Sequence, residues 1–203
     1  MRKTCGILLF LAATAPVWAN LVFAVGPGGG LTLPVSGNIE RFQPSWGAGI
    51  DARATGFEPI LGLGLSAGYT RFVGPYRDSV RADSSSYNYR YVPIAVYLFT
   101  DFSGVLPNAP VLPYLKLGAG PCYWDLRKNT AFLTTLDSAM SHQWDYDFTV
   151  SVGAEKHLGH LPLAVYLDLT ANYITSSHFE RYGALDQDES YAQVSLGLRY
   201  FFR

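Results

Sequence analysis

Outside the first twenty residues the sequence has no uninterrupted run of 18 apolar residues, so it offers no transmembrane helix. Charge is scarce too. Lys, Arg, Asp and Glu make up only 15% of the 203 residues, against about 25% in soluble domains. Neither sign dominates, with 15 basic and 16 acidic residues and a net charge of −1. That balance excludes a strongly basic nucleic-acid surface. Cysteine is nearly missing: Cys5 lies in the N-terminal stretch with no small-residue lipobox before it, and Cys122 is the other. Once the N-terminal stretch is removed, no intramolecular disulfide can form. No phosphate loop, cysteine cluster or second-domain segment is visible. Yet apolar residues reach 49%. A chain this apolar, lacking a spanning helix, points to strands that cross a bilayer.

The N-terminus reads as a cleavable export signal. Arg2 and Lys3 form a positive start, residues 6–13 an apolar core, and Val17-Trp18-Ala19 place small residues at the −3 and −1 positions. Cleavage after Ala19 is expected, with Val22-Phe23-Ala24 as a second possible site. Losing Arg2 and Lys3 moves the net charge from −1 to −3. The domain reading is therefore 1–19 signal peptide and 20–203 a single barrel domain.

Alternation carries the fold. In Leu61-Gly-Leu-Gly-Leu-Ser-Ala-Gly-Tyr69 every odd position is apolar and every even one is Gly or Ser. Phe148–Ala154 and Val194–Tyr200 repeat the pattern. Period-two alternation means strands. One face holds Leu, Val and Tyr; the other holds Gly, Ser, Thr and charge. Small and polar residues inside with aliphatics outside suit a barrel in lipid. Eight strands are expected at about 21–33, 46–55, 60–71, 88–100, 113–124, 144–156, 163–175 and 190–202, each near the nine to eleven residues or so that a tilted strand needs to cross. Long polar connections (34–45, 72–87, 125–143, 176–189) alternate with shorter ones (56–59, 101–112, 157–162). The fold class is all-β: an eight-stranded antiparallel transmembrane β-barrel, an up-and-down meander with both termini periplasmic. Tyr, with 14 copies, is expected at strand ends, forming the interfacial girdles.

Three stretches make the chain similar to the OmpA/OmpX-like group of small outer-membrane β-barrel proteins: Val25-Gly-Pro-Gly-Gly-Gly-Leu-Thr-Leu-Pro34, Tyr91-Val-Pro-Ile-Ala-Val-Tyr97 and Pro113-Tyr-Leu-Lys-Leu-Gly-Ala-Gly120. The resemblance covers the whole mature length. It implies a monomer in the bacterial outer membrane, contacting outer-membrane lipids and lipopolysaccharide, in a family with adhesion, resistance and stability roles. The terminal Ser195-Leu-Gly197-Leu-Arg-Tyr200-Phe-Phe202 resembles the signal read by the barrel assembly machinery, and departs from it in ending on Arg203. Ser195, Gly197, Tyr200 and Phe202 are its matching positions.

Strand parity puts Leu61, Leu63, Leu65, Tyr69, Ile94, Val96, Leu98, Leu115, Leu117, Phe148, Val150, Val152, Val165, Leu167, Leu169, Val194, Leu196 and Leu198 toward lipid. The opposite face collects Asp51, Arg53, Lys116, Asp145, Asp147, Glu155, Asp168 and Arg199. An eight-stranded barrel has room inside only for side chains, and an isolated buried ion is prohibitive. An ion-pair network is therefore expected, with Arg53, Lys116 and Arg199 facing Asp51, Glu155 and Asp168. It would close the lumen as a polar plug.

Catalytic signals are thin. Ser176, Ser177, His178 and Glu180 stand at the outer end of strand 7, where a lipid A deacylase would hold its Ser and His, but the order differs from that family's His-x-Ser-Asn. His157-x-x-His160, with Glu155 near, lacks a third ligand at metal spacing. Gly26, Gly28, Gly29 and Gly30 precede no helix, so they bind no phosphate; they suit close packing where the barrel closes. Neither catalytic nor metal residues are expected, nor a cofactor. The outer connections carry mixed charge with Tyr (Tyr76–Tyr87, then Asp125, Arg127 and Lys128, then Glu180–Glu189) and suit lipopolysaccharide or a surface partner. The expected role is structural or surface interaction without enzymatic activity. The alternatives are a small pore or a lipid A-modifying enzyme.

Overall fold

The computed structural model describes residues 21–40, 42–58, 61–74, 87–103, 105–106, 109–128, 131–132, 142–175 and 188–202. Eight long strands follow one another: β1 (Val22–Ser36), β2 (Ser45–Glu58), β3 (Leu61–Gly74), β4 (Tyr87–Asp101), β5 (Leu112–Lys128), β6 (His142–His157), β7 (Leu163–Thr175) and β8 (Glu189–Phe202). Each pairs antiparallel with the next. A two-residue strand, Ala131–Phe132, pairs with Arg127 and Lys128 at the end of β5. The last long strand returns to the first, from Phe23 opposite Phe202 to Ser36 opposite Ser190. The sheet is thus a closed meander barrel, and closure leaves no free edge.

Val22, where β1 starts, and Phe202, where β8 ends, lie at the end of the barrel that carries the connections after β2, β4 and β6 (the terminal end); the other end is the loop end. Gly159 takes φ +61° in the connection from β6 to β7, where Leu158 N–H donates to Leu163 O at 2.9 Å.

Parity places side chains as the alternation implies. The Leu61, Leu63, Leu65, Leu98, Leu117, Val150, Leu167, Leu169, Leu196 and Leu198 side chains are all exposed on the outer wall. A charge there at mid-membrane would cost about 2–4 kcal/mol. Trp46, Tyr69, Trp144, Tyr146 and Tyr173 stand outward toward the loop end, and Phe23, Tyr200 and Phe202 toward the terminal end. Two aromatic belts of this kind suit amphipathic rings at lipid–water boundaries.

Tyrosine corrects the expectation in part. Tyr89, Tyr91, Tyr97, Tyr114, Tyr166 and Tyr191 are not in a girdle but buried inside the barrel. The reason is volume: inward glycines leave space that facing side chains must fill. A Cβ on Gly64 would sit 2.2 Å from the Tyr97 ring, and one on Gly28 2.2 Å from the Tyr166 hydroxyl. The strands also outrun their expected ends at the loop end. Asp125, Arg127 and Lys128, read as loop residues, belong to β5.

Candidate functional site

The lumen holds three layers. At the terminal end β2, β5, β6, β7 and β8 bring together all six charges proposed for it. Arg199, fully buried, donates to Glu155 Oε2 at 2.6 Å and to Asp51 Oδ1 at 3.0 Å and Oδ2 at 3.2 Å. Arg53 Nη2 holds both Glu155 oxygens at 2.7 and 2.9 Å. Lys116 Nζ lies 2.7 Å from Asp168 and 3.6 Å from Asp51. Three cations meet three carboxylates, so this layer is internally neutral. These ion pairs offset the cost of burying the cluster, although Arg53 Nε and Nη1 meet no hydrogen-bond acceptor.

Parity had more to offer than the charges alone. Tyr97 Oη donates to Asp51 at 2.5 Å and Tyr114 Oη to Asp168 at 2.6 Å. The Arg53 guanidinium rests over Phe99, 4.1 Å from the ring centroid, and that of Arg199 over Tyr166 at 4.3 Å. The signal for these rings was the same alternation. Tyr97 sits between outward Val96 and Leu98, and Tyr114 is two residues before Lys116 on β5. Below this layer, Phe201, Ala24 and Ala164 form a small apolar seal.

The loop half of the lumen differs from the expectation of small and polar side chains. Ile39, Phe42, Phe72, Tyr89, Tyr91, Cys122, Trp124, Leu126, Ile174 and Tyr191 form one buried apolar cluster. Tyr89 stacks on Tyr91 with centroids 5.1 Å apart, and Trp124 approaches Tyr89 at 5.3 Å. Phe42 meets Tyr89 edge-on at 6.0 Å. Ile39 and Phe42 come from the connection between β1 and β2, which had read as a polar loop. There Gly37, at φ +82°, starts a single 3-10 turn, Gly37–Ile39, that folds the chain inward. Two apolar side chains in a polar stretch were the available clue, and burial inside the barrel end is what they gain. Buried acids here have donors: Tyr91 donates to Glu189, and Trp124 and Gln143 donate to Asp145 at 2.5 and 2.8 Å.

Between the two layers lies a cavity of about 120 Å³, lined by Asp147, Thr149, Ser151, Thr170, Asn172, Gln193 and Ser195 among others. That exceeds what one water needs several times over.

Of the terminal motif, Ser195 and Gly197 face the lumen and Tyr200 and Phe202 face out. A Cβ on Gly197 would lie 2.4 Å from the Tyr166 ring. Tyr200 and Phe202 pack edge to face at 4.9 Å. His157 lies 3.7 Å from Glu155 and against Phe201, while His160 is exposed. No three His, Cys, Asp or Glu side chains converge as a metal group among the described residues. Cys122 is a buried free thiol in the apolar cluster. Ser176, Ser177, His178, Glu180 and residues 75–86 fall outside the described residues.

The fold is that of small outer-membrane barrels. Neisserial surface protein A superposes with a TM-score of 0.54 at 15% identity, over 90% of this chain and 97% of that one. A major outer membrane protein from Thermus thermophilus gives 0.58 at 17%, over 90% and 99%. OprG from Pseudomonas aeruginosa gives 0.51 at 14%, over 90% and 96%. At these identities the likeness is one of architecture. No protein-family model matches the chain, and no curated protein matches it.

Proposed function

We propose that this barrel stands in a bacterial outer membrane with both termini periplasmic, does not conduct, and acts structurally or through its four outer loops. The two filled layers of the lumen carry this reading. A neutral salt-bridge layer and an aromatic cluster stand in series in the same lumen, which supports a closed channel. In planar bilayers the purified protein is expected to show no unitary conductance steps. Discrete openings would favour the small-pore reading. Unchanged lipid A acylation by mass spectrometry, in cells expressing the protein, is the result expected of a non-enzyme.

The proposed surroundings follow from the outer wall: outer-membrane lipids, lipopolysaccharide at the loop end, and the barrel assembly machinery during insertion, with one chain per barrel. Residues 1–19 are proposed as the removed export signal. Ala24 pairs with Phe201 in β1 and is buried beside Ala164, so cutting after it would strip residues from the closing seam. N-terminal sequencing of the mature protein should begin at Asn20; a start at Val25 would count against this placement.

A further inference from the structure

We infer that the mid-lumen cavity is a binding site for a single small monovalent cation, sodium being the simplest, held on the Asp147 carboxylate. Asp147 is fully buried, lines the cavity, and neither of its oxygens has a hydrogen-bond partner. On β5 its register partner is Gly120 and the next inward residue is Gly118, so that strand offers the carboxylate no side-chain partner. The cations of the lumen are already committed. Lys116 sits at the register level of Ser151 and is bound to Asp168. Arg53 and Arg199 both hold Glu155, eight residues along β6 from Asp147, about 26 Å of strand. The six-charge layer is neutral without Asp147, so its negative charge is surplus. An unpaired carboxylate in such a place is far too costly to stand alone.

The neighbours suit a hard, weakly charged ion, which prefers oxygen ligands. Thr149 and Asn172, one inward step along β6 and β7, line the same space; the Ser151 and Thr170 hydroxyls, hydrogen-bonded at 2.7 Å, border its far side at the level of Lys116. The remaining volume has room for several waters to complete the shell. Asn172 Nδ2 is also buried and unpartnered, and a held water would accept its hydrogen bond. One surplus carboxylate matches one positive charge. A chelated divalent ion would want more acids than converge here.

The test is urea unfolding of the protein in detergent micelles, in sodium chloride and in N-methylglucamine chloride at equal ionic strength. For the native sequence the unfolding midpoint should be higher in sodium and should climb with the logarithm of sodium concentration, as mass action requires. In Asp147→Asn, which keeps the shape and removes the charge, the two salts should give the same midpoint. Equal midpoints for the native sequence would overturn the site, with the carboxyl then carrying its own proton. A sodium effect that survives in Asp147→Asn would overturn it too, and the native titration reads out even if the variant fails to fold.

Discussion

Arg199→Leu should destabilise the barrel by about 3–5 kcal/mol, the usual cost of removing one partner from a buried ion pair. The guanidinium is fully buried, spans Asp51 and Glu155, and lies over the Tyr166 ring. Leucine fills part of the volume but satisfies neither carboxylate. Arg53 still holds Glu155 and Lys116 still lies near Asp51, so the loss should be large without being total. Arg90→Leu is the contrast. Arg90 pairs with Asp125 on the outer wall with a quarter of its side chain exposed, and Arg127 also reaches Asp125, at 3.1 Å. Because Arg127 remains on Asp125, that loss should be smaller than the loss at Arg199. Urea unfolding in detergent or lipid measures both. An Arg199→Leu barrel as stable as the parent would mean that the six charges do not form one layer.

The second large effect is expected in cells. Replacing Tyr200 and Phe202 together with Ala should stall insertion, leaving degraded periplasmic protein in place of a folded barrel. The two rings face outward on β8, against each other, opposite Val25 and Phe23 of β1. They mark the strand that closes the barrel, and an edge strand displayed before closure is available for pairing with a machinery that adds a strand. Their contribution to the finished barrel is modest, because both remain about half exposed. The same variant should therefore still fold into detergent micelles and keep the heat-modifiable gel shift of a closed barrel. Insertion in cells at the parental level would reduce the terminal motif to an ordinary last strand.

Strand number, order and face assignment were legible because a membrane barrel has a simple code. Each strand must alternate, with one face obliged to be apolar by lipid and the other barred from lipid by charge. Gly62 and Gly64 between leucines make the register of β3 unambiguous, and Asp51 with Arg53 does the same for β2. Parity also sufficed to put Arg53, Lys116, Glu155, Asp168 and Arg199 in one lumen. It could not say which cation meets which acid, since partners such as Asp51 and Arg199 stand 148 residues apart.

By itself, then, the sequence determined the local rule: two-residue periodicity, an apolar outer wall and charges inside. Tertiary structure decided what the inside contains. Whether an inward tyrosine becomes a plug, a hydrogen-bond donor or a girdle depends on the strand across the barrel. Tyr97 takes the space that Gly64 leaves and donates to Asp51, whereas Tyr89 and Tyr91 stack under Phe42 and Phe72. Ile39 and Phe42 fold inward only because the loop end has a cavity to fill. Asp147 and Asp168 look alike in sequence, both acids at inward positions of a strand. One meets Lys116 and Tyr114, and the other lines the mid-lumen cavity opposite Gly120, which offers it no partner. Alternation is set by each strand's own backbone, but filling a closed barrel is a packing problem among eight strands at once, and only the closed structure poses it.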